Sequence, residues 1–169
     1  MVAEIAMLEG KYAQGFPEYG PERMGAPIRG YTRLSDEEIR LHSSLESANA
    51  VVVFDETLLD VVDVCDLLEE GGPVVINTSM SAEDVKKKLK LKSGQTVHLV
   101  DATKIAIDTI GRPIPNTPMI GALMKVTDLL PIDAIAKGIQ KKFGKKFGEK
   151  IVEGNVQALK RAHDEVKAC

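Results

Sequence analysis

The sequence predicts an α/β fold: an open, mostly parallel sheet with helices on both faces. Three short β-branched or apolar runs carry the prediction, Ala50–Phe54 (AVVVF), Pro73–Asn77 (PVVIN) and Val97–Val100. Continuous runs of this kind mark strands buried on both faces. Helical patterns lie between and after them, and strands alternating with helices assemble into parallel sheets.

The elements follow in order. Val2–Leu8 reads as the end of an amphipathic helix, with Gly10 closing it. Tyr12–Phe16 is a short strand, and Ala26–Leu34 alternates as a second. Asp36–Ala48 is polar and mixed. After the strand Ala50–Phe54, Glu56–Glu70 reads as a helix that stops at Gly71 and Gly72. Pro73–Asn77 is followed by a helix from Ser81 to Lys90, Ser81 and Asp84 forming a capping-box pattern. Asp101 or Thr103 starts the next helix, which runs to Ile110. A proline-rich turn leads into Asn116–Leu130, also helical, and Pro131 suits the first turn of another helix. Lys141–Lys150 is basic and glycine-interrupted, and Ile151–Lys167 is a final amphipathic helix.

Composition narrows the function classes. A chain of 169 residues has room for one domain, 1–169, with one real core. A net charge of −3 predicts no general attraction to nucleic acid or to an anionic membrane. Trp is absent and aromatics make up 4%, against a base-stacking surface. Cys65 and Cys169 lie far apart and outside any C-x-x-C, so the chain is expected to hold neither an iron–sulfur cluster nor structural zinc. A reduced, cytoplasmic compartment is the matching expectation. No apolar run is long enough to span a bilayer, and MVAEIAMLEG lacks the basic start of a signal peptide. His42, His98 and His163 are scattered without ligand spacing, so no metal site is expected. Cys65 sits on an apolar face and reads as core.

Candidate site residues fall in three places. The carboxyl ends of the predicted parallel strands carry Asp55, Asn77, Thr78, Ser79, Asp101 and Thr103, where open α/β sheets bind ligands. The segment Lys11–Gly30 crowds glycines, prolines and arginines between strand-like flanks. Within it, Tyr19, Gly20, Pro21, Glu22, Arg23, Gly25 and Arg29 form a candidate ligand- or partner-facing loop. Glycine permits close backbone approach and arginine offers a planar fork for carboxylate or phosphate. The alternative is a turn in which Glu22 and Arg23 pair with each other or with a neighbouring helix. Asn116, Thr117 and Met119 follow the turn RPIP; Asn116 or Thr117 caps the helix, or its free N–H groups meet an anion. Two lysine runs, Lys86–Lys92 (KKKLKLK) and Lys141–Lys146 (KKFGKK), read first as solvated helix faces.

The block Phe16–Pro27, FPEYGPERMGAP, resembles the gamma subunit of pyruvate (2-oxoacid):ferredoxin oxidoreductases. So do IRLHSSLESANAVVVFDETLL, VDATKIAIDTIGRPIPNTPMIGAL and FGEKIVEGNVQALKRAHDEV, in that order, so the resemblance covers nearly the whole chain. It implies a Rossmann-like fold. It also implies a multisubunit enzyme that converts a 2-oxoacid and coenzyme A to acyl-CoA, carbon dioxide and reduced ferredoxin, pyruvate being the first candidate substrate and 2-ketoisovalerate the alternative. Thiamine diphosphate, Mg2+ and the 4Fe–4S clusters would belong to alpha, beta and delta-type partners, with ferredoxin engaged indirectly and no catalytic residue assigned to this chain. The chain would not be active alone; it would cover the thiamine site and assist coenzyme A access. The resemblance also keeps Asn116, Thr117 and Met119 as interface candidates and offers the lysine runs a role in steering acidic ferredoxin or coenzyme A. Two other readings stand beside it: a non-catalytic assembly or lid module, and a lone Rossmann-like enzyme with Asp55 or Asp101 on a ribose. Family members begin with a strand and a G-x-G-G-x-G turn before the helix that here starts at Met1; without them the sheet is expected to lack its first strand and expose an edge.

Overall fold

Gly10 makes the first reversal of the chain. Val2–Leu8 forms helix α1, and Gly10 follows it at φ +84°, a left-handed conformation that costs glycine little. Tyr12–Pro17 (β1) then pairs antiparallel with Gly30–Ser35 (β2), and Phe16 faces Tyr31. β2 starts later than the expected Ala26. Its partner strand ends at Pro17, which has no N–H to extend the ladder. The computed structural model describes residues 1–18, 27–41, 43–144 and 146–169. These first elements belong to a compact unit, Met1–Glu46, and all that follow belong to a second, Ser47–Cys169.

The β-branched runs build the sheet of the second unit. Val51–Val53 (β3), Pro73–Asn77 (β4) and Thr96–Val100 (β5) pair in parallel, and Lys167–Ala168 (β6) adds antiparallel to β5. The helices are Ala82–Lys88 (α2), Ala102–Ile110 (α3), Asn116–Thr127 (α4), Ile132–Phe143 (α5) and Glu149–Glu165 (α6). Alternation along the strands sends side chains to opposite faces. Val53, Val74, Ile76 and Val97 pack with Leu59, Cys65, Leu68 and Val85 on one face. Val75 and Val100 pack with Ala102, Ile105, Met119, Ala122, Ala158 and Ala162 on the other. The fold is therefore the expected open, mostly parallel α/β sheet with helices on both faces.

Several expectations are corrected. Glu56–Glu70 is not one helix: only Glu56–Asp60 is helical, as a 3-10 turn. Beyond it Asp63 accepts from the Cys65 amide at 3.1 Å and Asp66 from the Leu67 amide at 2.8 Å. Such local bonds compete with helical ones, and three valines add β-branched stiffness. The AVVVF run is not buried on both faces. Among the described residues β3 pairs with β4 alone; Val51 and Val52 are half-buried and Phe54 is 45% exposed. The helix from Ser81 ends at Lys88, α4 ends at Thr127 with Asp128 at φ 49°, and α6 ends at Glu165. Lys167, expected in that helix, instead runs back along β5, where Cys169 N donates to the Val97 carbonyl at 3.0 Å.

Two glycines set the spacing of the helical layer. A Cβ on Gly121 of α4 would stand 2.0 Å from the Leu159 carbonyl oxygen of α6. One on Gly154 of α6 would stand 2.5 Å from the Thr109 carbonyl oxygen of α3. Backbone meets backbone at both points, so any larger residue must push the helices apart.

Candidate functional site

The carboxyl ends of the three parallel strands do come together, but most of their polar side chains are committed within the chain. Asn77 ends β4 and is 7% exposed. Its Nδ2 donates to the Phe54 carbonyl and to Thr103 Oγ1, both at 2.9 Å, and its Oδ1 accepts from the Thr103 amide at 3.1 Å. One amide side chain therefore ties the end of β4 to the residue after β3 and to the first turn of α3. Thr78 donates its hydroxyl hydrogen to Glu56 and accepts from the Met80 amide at 2.9 Å. Asp55 caps the 3-10 turn through Thr57, whose hydroxyl and amide bonds hold its carboxyl below the usual carboxylate range. Asp101 caps α3 by accepting from the Lys104 amide at 2.9 Å. Asp55 and Ser79 are the exposed members of this set. The cluster is a clasp across strand ends, and Asp55 and Asp101 are both occupied as helix caps, which weighs against a ribose contact.

At the start of α4 the three candidates separate. Asn116 is exposed. Thr117 is 3% exposed and donates to Asn155 Oδ1 of α6 at 2.8 Å, while Asn155 Nδ2 donates to the Ile151 carbonyl at 2.8 Å. Met119 is fully buried against the sheet-facing cluster. Neither Asn116 nor Thr117 caps the helix; Pro115 holds the cap position and no side chain bonds there. Thr117 and Met119 thus spend their side chains inside this chain. The sequence reading missed Asn155, because its partner lies 38 residues away and no local pattern joins them.

Tyr19, Gly20, Pro21, Glu22, Arg23 and Gly25 lie outside the described residues. What the structure does give is the base of their loop. The Glu18 amide donates to the Arg29 carbonyl at 2.9 Å, and the Tyr31 hydroxyl donates to Glu18 Oε2 at 2.7 Å. That bond raises the Tyr31 hydroxyl pKa, and Arg29 against the same hydroxyl pulls the other way. Arg29 is half-buried. Arg33, another residue missed from sequence, reaches Gln14 Oε1 at 2.8 Å and the carbonyls of Leu41 and Ser43 at 3.3 and 3.2 Å, with its guanidinium 5.9 Å from the Phe16 ring centre.

The two lysine runs differ. Lys87 pairs with Asp84, Lys88 with Asp60 at 2.6 Å, and Lys90 lies 4.0 Å from Asp63. Lys92 donates to the carbonyls of Asp66 and Leu68. The run at Lys86–Lys92 is therefore largely engaged within the chain and presents little free charge for steering a partner. Lys141, Lys146 and Lys150 are exposed and make no ion pair among the described residues.

Among the described residues no group of three or more His, Cys, Asp or Glu could hold a metal. Burial pushes the Cys65 thiol up to about 11, with Asp63 adding to the effect, so it is an inert core thiol. Burial also lowers the His98 pKa. Two recesses, of about 200 and 420 Å³, lie away from the strand ends: one between Leu59–Val64 and Lys88–Lys90, the other lined by Asp128, Asp133 and His163 among others. No helix among the described residues is long and apolar enough to cross a membrane.

Fold and strand-end geometry define an open α/β domain whose ligand-side loops carry no complete catalytic set among the described residues. Residues 1–165 match the model of the pyruvate ferredoxin/flavodoxin oxidoreductase family, and the chain belongs to that family. It is 48% identical over 167 residues to the pyruvate synthase subunit PorC of Thermotoga maritima, covering 99% of this chain and 85% of that one. It is 45% identical over 143 residues to the pyruvate/ketoisovalerate oxidoreductases common subunit gamma of Thermococcus litoralis, covering 85% and 77%. The crystal structure of the pyruvate oxidoreductase subunit PORC of Thermotoga maritima superposes with a TM-score of 0.84 at 43% identity, over 99% of this chain and 86% of that one.

Proposed function

We propose that this chain is the gamma subunit of a cytoplasmic pyruvate:ferredoxin oxidoreductase, a single gamma-type domain that contributes to oxidative decarboxylation of pyruvate with coenzyme A. The observation that carries the reading is the family match over residues 1–165, joined to near-complete coverage of a relative named pyruvate synthase subunit PorC. A relative named as common to pyruvate and ketoisovalerate oxidoreductases favours 2-ketoisovalerate as the second substrate reading.

In this reading thiamine diphosphate, Mg2+ and 4Fe–4S clusters reside in alpha, beta and delta-type partners, and ferredoxin takes the electrons from them. The residues of this chain fit that division. Two cysteines, one of them fully buried, fall short of the four thiolates a cluster takes. Thiamine diphosphate supplies the electron sink for decarboxylation when bound. This chain's own share is to cover the site and to meet coenzyme A or a partner through Tyr19, Gly20, Pro21, Glu22, Arg23, Gly25 and Arg29, with Asn116 as a second partner-facing residue. Arg29 supports the loop from its base, where Glu18, Tyr31 and the Arg29 carbonyl close it. A charged hydrogen bond from Arg23 to a phosphate or carboxylate is worth roughly 1.5–3 kcal/mol.

The test is reconstitution with the companion subunits from the same source. Pyruvate- and coenzyme A-dependent ferredoxin reduction should require this chain, and the chain alone should show neither turnover nor cluster absorbance. Turnover by the companions without it would overturn the assignment. Within the active complex, Arg23→Ala should slow the coenzyme A-dependent phase about ten- to a hundredfold, leaving cluster reduction by pyruvate alone nearly unchanged. Arg23→Lys should rescue poorly, since a point charge does not replace a bidentate fork. Equal losses in both phases would reduce Arg23 to a role in shaping the loop.

A further inference from the structure

The turn between α5 and α6 is the most basic stretch of an acidic chain. Six lysines stand against two glutamates, Glu149 and Glu153, between Lys137 and Glu153, while the whole chain carries −3. Lys141, Lys146 and Lys150 are exposed and unpaired among the described residues, unlike Lys87, Lys88, Lys90 and Lys92 of the other run. Apolar groups stand among them: Phe147 is 49% and Ile151 44% exposed. Described residues on either side of Lys145 contact one another. Phe143 and Phe147 meet edge to face at 5.6 Å, and the Phe143 carbonyl accepts from the amides of Lys146 and Phe147 at 2.9 and 2.8 Å. Leaving a phenylalanine half in water and three neighbouring lysines without an ion pair among the described residues lowers stability.

We infer that this turn is a docking surface for an acidic protein surface with an apolar centre, carried by a companion subunit of the complex. The inference rests on the gamma-subunit reading above. An apolar anchor among predominantly basic residues matches the anatomy of a protein interface, in which the charge sets encounter rate and register and the anchor supplies most of the affinity. Residues already held by contacts within the chain, as Phe143, Lys146 and Phe147 are, lose little entropy on binding. An anionic membrane fits less well: two exposed apolar side chains give little insertion area, and the net charge of the chain is repelled by it.

The experiment uses the full chain co-purified with its companion subunits. The triple variant Lys141→Glu/Lys146→Glu/Lys150→Glu should associate with them about tenfold or more weakly, as should Phe147→Ala, with cooperative melting retained. Wild-type association should weaken as salt rises. Lys160→Glu, exposed on the same helix α6 but beyond the turn, should have no effect. If the triple variant fails to melt cooperatively, the corresponding Lys→Gln variant and the wild-type salt dependence decide; salt-independent association would overturn the proposal. Wild-type assembly with unchanged assembly of the variants would also overturn it while leaving the gamma-subunit reading intact. Failure of the wild type itself to assemble removes both. Binding of the assembled complex to phosphatidylserine vesicles that the triple variant abolishes, with assembly unchanged, would assign the turn to a membrane and overturn the protein-docking reading.

Discussion

The two units of the chain are held together by different physics. In Met1–Glu46 only Ile5 and Ala6 are buried among the described residues. Its hairpin depends on polar and aromatic contacts near water: Arg33 on Gln14 and two carbonyls, Tyr31 on Glu18, Lys11 on Asp36 at 2.6 Å, and Phe16 against Tyr31 at 5.6 Å. Ser47–Cys169 has apolar clusters on both faces of its sheet and two glycine contacts at backbone distance. The hairpin carries the loop with the strongest functional signal, and the sheet unit carries the stability. Segments that must adapt to a ligand or partner are drawn from the least protected parts of a fold.

The largest effect expected from that difference is in the sheet unit. Gly121→Ala puts a methyl group into the Leu159 carbonyl and should cost about 3 kcal/mol, lowering the melting temperature by ~6–12 °C. A shift within about 2 °C would mean that α4 and α6 separate at little cost. Next, Thr117→Val leaves Asn155 Oδ1 without its donor, a loss of roughly 1–3 kcal/mol. A double-mutant cycle with Asn155→Ala should return a coupling of about 1 kcal/mol, and additive losses would show that the pair does not act as one.

The hairpin should respond more locally. Arg33→Ala is expected to cost about 1 kcal/mol or less in the global melt, yet to speed amide exchange in β1 and β2 while leaving β4 unchanged. Equal acceleration in both strands and sheet would erase the contrast between the units. The smallest effect is pH-dependent. The bond to Glu18 raises the Tyr31 pKa, so its contribution is fully present below the ordinary tyrosine value of 10.0 and is lost as pH rises through the raised folded value. Hairpin amide protection, corrected for intrinsic exchange, should therefore fall in that alkaline window, and Tyr31→Phe should remove the step. A step that persists in Tyr31→Phe would assign it to another group.

Strand–helix alternation from Val51 onward, the caps at Ser81 and Asp101, and Pro131 before α5 were all legible in the amino-acid order. Each depends on neighbours within a few residues: β-branched runs, a side-chain oxygen three positions from an amide, a proline ring that fixes its own φ. The same local reading drew a helix from Glu56 to Glu70, where Asp63 and Asp66 turn the chain back on its own amides. The strand-end residues were rightly placed side by side, but not their use. That Asn77 would clasp Phe54 and Thr103, that Thr117 would be spent on Asn155, and that Lys88 would be engaged by Asp60 are matters of partners 23 to 38 residues away. Amino-acid order alone determined the fold class and the family. Tertiary structure decided which polar side chains remain available, because hydrogen bonds and ion pairs form between groups that only folding brings within about 3 Å.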